Sequence, residues 1–329
     1  MKIVLAGGTG QVGTLLTRQF HASGHDCIVL SRNPSQAVCS LGKPATLRTV
    51  LWDGVSLGAW VDELEGADAV INLAGRSVNC RYHERNLREM TASRIDSTRV
   101  IGQALTRLRR PPPVWLQAST ATIYAHRYDT PNDEVNGIIG GEEPGVPLLW
   151  RRSVEIALAW EKALFSSDAP QVRKVALRSS MIMSPDAGGV FDVLCTLANR
   201  GLGGAQGRGD QYVSWIHEAD FVQAIYFLLR RTELSGVVNL CSPKPLPNCD
   251  FLAHLRKALG VRIAPPQPRW LLEMGAFFMR TETELLLKSR RVVPGRLLAE
   301  GFSFRYPEWA KAAAGLAARW KAGRRIRRL

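Results

Sequence analysis

Seven residues near the amino end restrict the fold more than any other stretch of this chain. Gly7-Gly8-Thr9-Gly10-Gln11-Val12-Gly13 follows the apolar run Ile3–Ala6 and opens a pattern carrying Val12, Leu15, Leu16 and Phe20 at helical spacing. A short apolar run, a glycine turn and an amphipathic stretch, in that order, make a strand–turn–helix. The glycines satisfy G-x-x-G-x-x-G counted from Gly7 and G-x-G-x-x-G counted from Gly8. Such a turn needs glycine to bend tightly, to let the backbone approach a pyrophosphate, and to pack helix closely on strand. The helix start then aims free N–H groups and positive dipole at the phosphates. The loop implies a dinucleotide site cradled by Gly7, Thr9, Gly10, Gln11, Val12 and Gly13.

The rest of the first two-thirds continues the alternation. Cys27–Leu30, Leu47–Trp52, Ala69–Leu73, Val114–Ala118 and Val175–Leu177 read as strands, with helical patterns between them. Alternation of this kind predicts an α/β protein built on a doubly wound parallel sheet, covered on both faces. Gly24 is placed to end the first helix, and Pro111-Pro112-Pro113 stops the long one before β-strand Val114–Ala118. Past Ser179 the texture changes to glycine-rich loops, then to helices broken by prolines at 243–247 and 265–268, with one more strand at Val237–Leu240. The expected division is a nucleotide-binding domain, residues 1–178 and 212–242, and a smaller, mostly helical C-terminal cap, residues 179–211 and 243–329. The cap is expected over the carboxyl edge of the sheet, where open α/β sheets bind ligands.

The end of the second strand bears on the choice of cofactor. An NAD site places Asp or Glu there for the ribose 2′-OH, whereas an NADP site uses Arg for the 2′-phosphate. Here the residues are Ser31-Arg32-Asn33, without an acid. Arg32 can pair bidentately with a phosphate and Ser31 can donate to it, so NADP(H) is expected in preference to NAD(H). Asp53 can accept from an adenine amino group, and Asp53-Gly54 is equally well explained as a turn.

Charge and composition exclude several classes. No apolar run approaches the ~18 residues that a spanning helix needs, so no membrane partner is expected. The first strand begins at Lys2, leaving no room for a leader, and the expected setting is the cytoplasm. Six scattered cysteines without C-x-x-C fit a reducing compartment and argue against a metal site. The formal charge of +14 is concentrated in two places: six Lys or Arg in the last eleven residues, and nine Arg in Arg76–Arg110. No zinc finger, RNP-like pattern or helix-turn-helix accompanies them, so nucleic acid is not the expected partner, and the tail reads as a solvated face.

Taken together, the segments resemble the extended short-chain dehydrogenase/reductases. They are most similar to the atypical NAD-dependent epimerase/dehydratase-like subgroup, whose C-terminal domain has no assigned function. The resemblance rests on Gly7–Gly13, Val70–Gly75, Ser93–Thr98, Ser214–His217 with Asp220, and Gly301–Pro307. It implies an NAD(P)-binding Rossmann fold and a nicotinamide cofactor. It also implies that Leu73, Ala74, Gly75 and Ala118 line that cofactor. Anchored on Tyr124, it puts Thr120 in the place of the catalytic Ser or Thr, with Ser119 as the alternative.

This chain departs from the pattern at the next helix, where these enzymes carry Tyr-x-x-x-Lys. Counting back from Glu161, Ala157 stands in the Lys place and Ser153 in the Tyr place. The Lys normally lowers the Tyr pKa so that the phenol can move a proton near neutrality. Tyr124 is then the nearest phenol to stand in as proton donor. Val213 replaces the Arg that would hold a sugar-nucleotide diphosphate. Arg94, on a stripe with Leu87, Met90, Ile101 and Leu105, is either an anion ligand or half of a salt bridge. His217 reads as a structural imidazole before a base, and Trp150-Arg151-Arg152 as a surface helix start before a substrate wall. The expected function is an NADP(H)-dependent oxidoreductase or epimerase-like enzyme on a small molecule, an anionic one included. The alternative is a redox sensor that binds NADP(H) without turnover.

Overall fold

The computed structural model describes residues 1–35, 47–278 and 282–326. Seven parallel strands form the central sheet: β1 (Lys2–Ala6), β2 (Asp26–Ser31), β3 (Leu47–Leu51), β4 (Ala69–Asn72), β5 (Val114–Thr120), β6 (Arg173–Ser179) and β10 (Gly236–Leu240). Their spatial order is β10-β6-β5-β4-β1-β2-β3. The order reverses between β1 and β4, and the crevice at such a reversal is where ligands bind in open sheets.

Every expected strand is present; for the inner strands the reason is two-sided burial, while the edge strand β3 has no buried residue. In β1, Ile3 and Leu5 face one core while Val4 and Ala6 face the other, so the run is continuously apolar. The first core is closed by Leu16 and Phe20 of α1 (Gln11–Ala22) and by Phe221, Ile225 and Leu228 of α5 (Glu218–Arg230). The second is closed by Val100, Ile101 and Leu105 of α2 (Glu84–Leu105) and Leu164 of α3 (Leu148–Phe165). Gly24, with φ +71, follows α1 as expected.

A further core belongs to the cap. Phe191 and Cys195 of α4 (Val190–Asn199) and Phe251 and Leu255 of α6 (Asn248–Leu259) meet Trp309, Leu316 and Trp320 of the last helix, Trp309–Ile326. The Phe251 and Trp309 rings stack at 4.1 Å, and Trp309 Nε1 donates to Phe251 O at 2.8 Å. Two segments cross the expected division. Val213 and Trp215 join the cap core, and Leu297 and Phe302 pack on the sheet instead. Short strands set the first crossing: β7 (Met181–Met183) pairs with β9 (Trp215–His217), and β8 (Tyr212–Val213) with β11 (Leu246–Pro247). Runs of two or three residues carry no readable periodicity.

The basic tail is corrected in part. Up to Ile326 it is helix, Trp320 is buried with Nε1 donating to Asp192 Oδ1 at 2.6 Å, and Arg319 pairs with Glu218. Arg327 and Arg328 lie outside the described residues, as does Cys39. The other five cysteines are free thiols. Among the described residues no helix is long and apolar enough to cross a membrane.

Candidate functional site

The glycine loop is pressed against the end of β4. Gly7 has φ +76, and a Cβ there would lie 2.8 Å from Ala74 N and 2.9 Å from Leu73 C. A Cβ on Gly13 would meet Gly8 Cα at 2.5 Å. Gly10 caps α1 with extended backbone and no side-chain cap, which leaves the first-turn amides to an outside acceptor. Thr9 and Gln11 are exposed, and Val12 packs on the first core. The Gln11 amide group lies against Gly189, and Arg18 pairs with Asp186, so the cap reaches the loop beside the phosphate cradle. Leu73, Ala74 and Gly75 continue β4 along that cradle, with Ala74 N donating to Asn72 Oδ1 at 3.0 Å.

At the end of β2, Ser31 is buried and its Oγ accepts from Asn33 N at 3.2 Å. Arg32 is exposed and pairs with no described residue. Asp53 makes the turn that Asp-Gly suggests: Oδ1 accepts from Ser56 N and Val55 N, both at 2.8 Å. Those amides hold its carboxyl below the usual carboxylate range.

The end of β5 holds a buried polar chain. Ala118 and Thr120 are half-buried, and Thr120 Oγ1 accepts from Thr122 N at 3.1 Å. Ser119 is committed elsewhere, donating to Glu161 Oε1 at 2.6 Å. Glu161 is held bidentately by Arg178, Nε to Oε1 at 2.8 Å and Nη2 to Oε2 at 2.7 Å. Arg178 Nη1 donates to Tyr124 Oη at 3.0 Å, and that phenol donates to Asn239 Oδ1 at 2.9 Å. The stand-in role expected of Tyr124 does not fit this placement. The ring is 2% exposed, its proton is already given to Asn239, and burial pushes its pKa up.

The two dyad places differ. Ala157 is buried among Ala121, Ile123, Tyr124 and Val154. Ser153 donates to Glu284 Oε2 at 2.6 Å. Glu284 opens the short helix Glu284–Leu287 and belongs to a buried charged group that sequence reasoning missed. Lys288 Nζ donates to Thr122 O at 2.8 Å and stands 3.8 Å from Glu284 Oε1, while Arg290 Nε donates to Thr122 Oγ1 at 3.2 Å. Burial lowers the Lys288 pKa to about 8, against the pull of Glu284, and raises that of Tyr82, beside Ser153, to about 12. The acids Glu282 and Glu284 and the bases Lys288 and Arg290 form no recognisable motif, so only the fold brings them under the end of β5.

Residues 3–139 match the NAD-dependent epimerase/dehydratase family, and residues 267–316 match a domain of unknown function, DUF1731. The likeness to the NAD-dependent epimerase/dehydratase family thus lies in residues 3–139. The human epimerase family protein SDR39U1 is 28% identical over 315 residues, spanning 95% of this chain and 98% of the relative. Epimerase family protein YfhF of Bacillus subtilis is 28% identical over 322 residues, 97% and 98% of the two chains. A crystal structure of human SDR39U1 (isoform2) with NADPH superposes with a TM-score of 0.81 at 28% identity, covering 97% of this chain and 99% of that one. The fold is the NAD(P)-binding Rossmann fold, with a helical C-terminal region.

The Ser214–Asp220 segment is a structural joint. Asp220 accepts from Arg305 N at 2.8 Å and Tyr306 N at 2.9 Å, tying two of the resembling segments together. His217 caps α5, its Nδ1 accepting from Ala219 N at 3.0 Å, and stacks on Tyr306 at 3.8 Å. Burial, then the Arg319 and Arg305 charges, push its pKa from the ordinary 6.5 down to about 4. The folded state thus favours the neutral ring, and its contribution is complete above pH 6.5 and lost as pH falls toward 4. We expect this residue to account for about 3 kcal/mol of acid destabilisation over that window. His217→Asn, which keeps a cap acceptor but does not titrate, should flatten that part of a urea-stability profile against pH. An unchanged profile would contradict the assignment.

Arg94 has no carboxylate partner among the described residues, so the salt-bridge alternative is not what the fold provides. Its Nη1 donates to Met90 O at 3.0 Å, the guanidinium lies 5.0 Å from the Trp160 ring, and it sits directly beneath Gly75.

Proposed function

We propose that this protein binds NADP(H) in the Gly7–Gly13 cradle and acts as an oxidoreductase or epimerase-like enzyme on a small molecule at the carboxyl edge of the sheet. The observation that carries the reading is the junction of Gly7 with Leu73 and Ala74, where no side chain fits, facing an uncapped helix start. These residues fit a dinucleotide: the first-turn amides would take the diphosphate, and Leu73, Ala74, Gly75 and Ala118 would line its further course. A bound nicotinamide would supply the redox equivalent. Thr120 would hold a substrate oxygen, since Ser119 is occupied by Glu161. The NADPH seen with the human relative supports the cofactor class, and Arg32 at the end of β2, exposed and paired with no described residue, supports the phosphorylated form.

Cofactor choice is directly testable. NADPH should bind more tightly than NADH, and Arg32→Asp should remove most of the difference. A charge-assisted phosphate contact contributes about 1.5–3 kcal/mol, or about tenfold to a hundredfold in affinity. Fluorescence titration of both cofactors measures it, and equal affinities in the unaltered protein would sink the assignment.

The sensor reading keeps one observation in its favour. Ala157 offers no cation and Tyr124 is locked in the Arg178 network, so no conventional dyad serves the site. Tight NADPH binding, without oxidation of the cofactor by any of a broad panel of carbonyl compounds, would favour it.

A further inference from the structure

Arg94 and Arg178 both bring a guanidinium into the protein, and only one of them has an acid. Arg178 grips Glu161 with the edge formed by Nε and Nη2. Arg94 donates from Nη1 to Met90 O, and its Nε–Nη2 edge meets no acceptor among the described residues. Those residues include every Asp and Glu of the chain, so no acidic side chain remains to serve it. Burial pushes its pKa down, and the side chains whose charges act on it are Tyr82 and Cys80, neither of them a carboxylate. Covering such a cation without a counter-charge is unfavourable, and a ligand that supplies one removes the cost.

The open edge is within reach of a ligand. Arg94 as a whole is half-buried, and neither Nε nor Nη2 is among the sealed, unsatisfied nitrogens. The guanidinium lies under the turn that follows β4, where a Cβ on Gly75 would stand 3.4 Å from Arg94 Cζ. The Trp160 ring of α3 is 5.0 Å away. The same turn meets Gly7 of the glycine loop at Leu73 and Ala74. A ligand held by Arg94 therefore sits beside the backbone that would line the cofactor.

Donor geometry and charge then select the ligand. Two parallel N–H groups match the two oxygens of a carboxylate, as Glu161 shows on Arg178. One guanidinium balances one negative charge, whereas a phosphate group brings about two near neutrality. Neighbouring cations are already spoken for: Arg76 by Glu89, Arg81 by Glu282 and Lys288 by Glu284. We propose that Arg94 binds the carboxylate of a small-molecule substrate through its Nε–Nη2 edge. This deepens the oxidoreductase reading, on which it rests for placing substrate beside the 73–75 turn, and it makes that substrate an acid.

NMR on the full chain tests it, following the Arg94 Nε–H signal, which Arg94→Lys identifies by removing it, with ligand-observed saturation transfer for the variants. Lactate and benzoate should shift that signal saturably, and the uncharged lactamide and benzamide should bind at least about tenfold more weakly. Arg94→Lys keeps a cation on a long stem without the two-pronged edge, and should weaken both acids about tenfold. Arg94→Met should abolish their saturable binding, and its urea midpoint should match or exceed that of the unaltered protein, since no charge is left covered. Amides binding as tightly as the acids, inorganic phosphate binding more tightly than either acid, no saturable shift with either acid, or a marked fall in that midpoint would each overturn the proposal. NADPH is titrated on the same samples. Weaker NADPH binding in Arg94→Met, with lactate competing against NADPH, would assign the guanidinium to the cofactor and overturn it too. Acid binding in a protein that takes no NADPH would remove the cofactor reading alone, and NADPH binding without any response to the acids would remove this one alone.

Discussion

Arg178→Ala is expected to lower the stability of this protein by about 3–5 kcal/mol, the cost of stranding a buried carboxylate. Arg178 and Glu161 each have side chains only 9% exposed, and the guanidinium supplies two of the three hydrogen bonds that Glu161 accepts. The pair is also where the sheet is cross-tied. Ser119, Arg178 and Asn239 are register partners on β5, β6 and β10, so their side chains project side by side from three adjacent strands. Glu161 reaches in from α3 and Tyr124 from just beyond β5, and together they close the chain of bonds. Urea unfolding at an unchanged m-value measures the loss. Replacing both Glu161 and Arg178 by Leu should recover a large part of it, because an apolar pair leaves no charge stranded. Tyr124→Phe should cost less, about 1–2 kcal/mol for the acceptor it leaves on Asn239, and should leave NADPH affinity unaltered. A loss below about 1 kcal/mol in Arg178→Ala would show that the carboxylate finds water or another donor.

That network also marks where the sequence stops being readable. The strands and the glycine loop declare themselves through spacing within a dozen residues, because period and turn chemistry are local properties. Ser119 and Glu161 were both visible as motif positions, but the Arg178 and Asn239 that decide their roles lie 54 and 115 residues from Tyr124. Nothing local distinguishes Arg178 from any other arginine on a buried strand. The same holds for the vacant dyad. Ser153 was legible as a missing tyrosine, yet its partner Glu284 stands 131 residues away on a four-residue helix in the cap. Trp150 read as a surface helix start because its helix begins in polar surroundings. Only the return of the 207–211 and 282–287 segments makes it a cavity wall. The expectation for Tyr124 has the same origin, since spacing places a phenol near the strand end but not which way it points.

Gly13→Ala should cause the largest functional loss of any single methyl addition here, weakening NADPH binding by at least about a hundredfold, or roughly 2.7 kcal/mol. The added Cβ would lie 2.5 Å from Gly8 Cα and 2.6 Å from Gly7 O, and both are backbone atoms that no rotamer change can move. Relief therefore requires the helix start to back away from the turn, which separates the first-turn amides from the position that Gly7 and Gly10 define for a diphosphate. Some stability goes with it, about 1–3 kcal/mol for overpacking. Gly8→Ala should be milder, because the nearest atoms, Val29 Cγ1 at 2.8 Å and Cγ2 at 3.0 Å, are the ends of a side chain. Gly24→Ala is the control that separates strain from steric loss: its φ of +71 penalises any side chain, yet nothing lies within 4 Å of the new methyl. It should cost about 1 kcal/mol of stability and leave cofactor affinity intact. Fluorescence titration of NADPH against all three variants, each first shown to be folded, orders them. If Gly13→Ala bound NADPH as tightly as Gly24→Ala, the glycine loop would be a packing device for α1 and not the cradle of a dinucleotide.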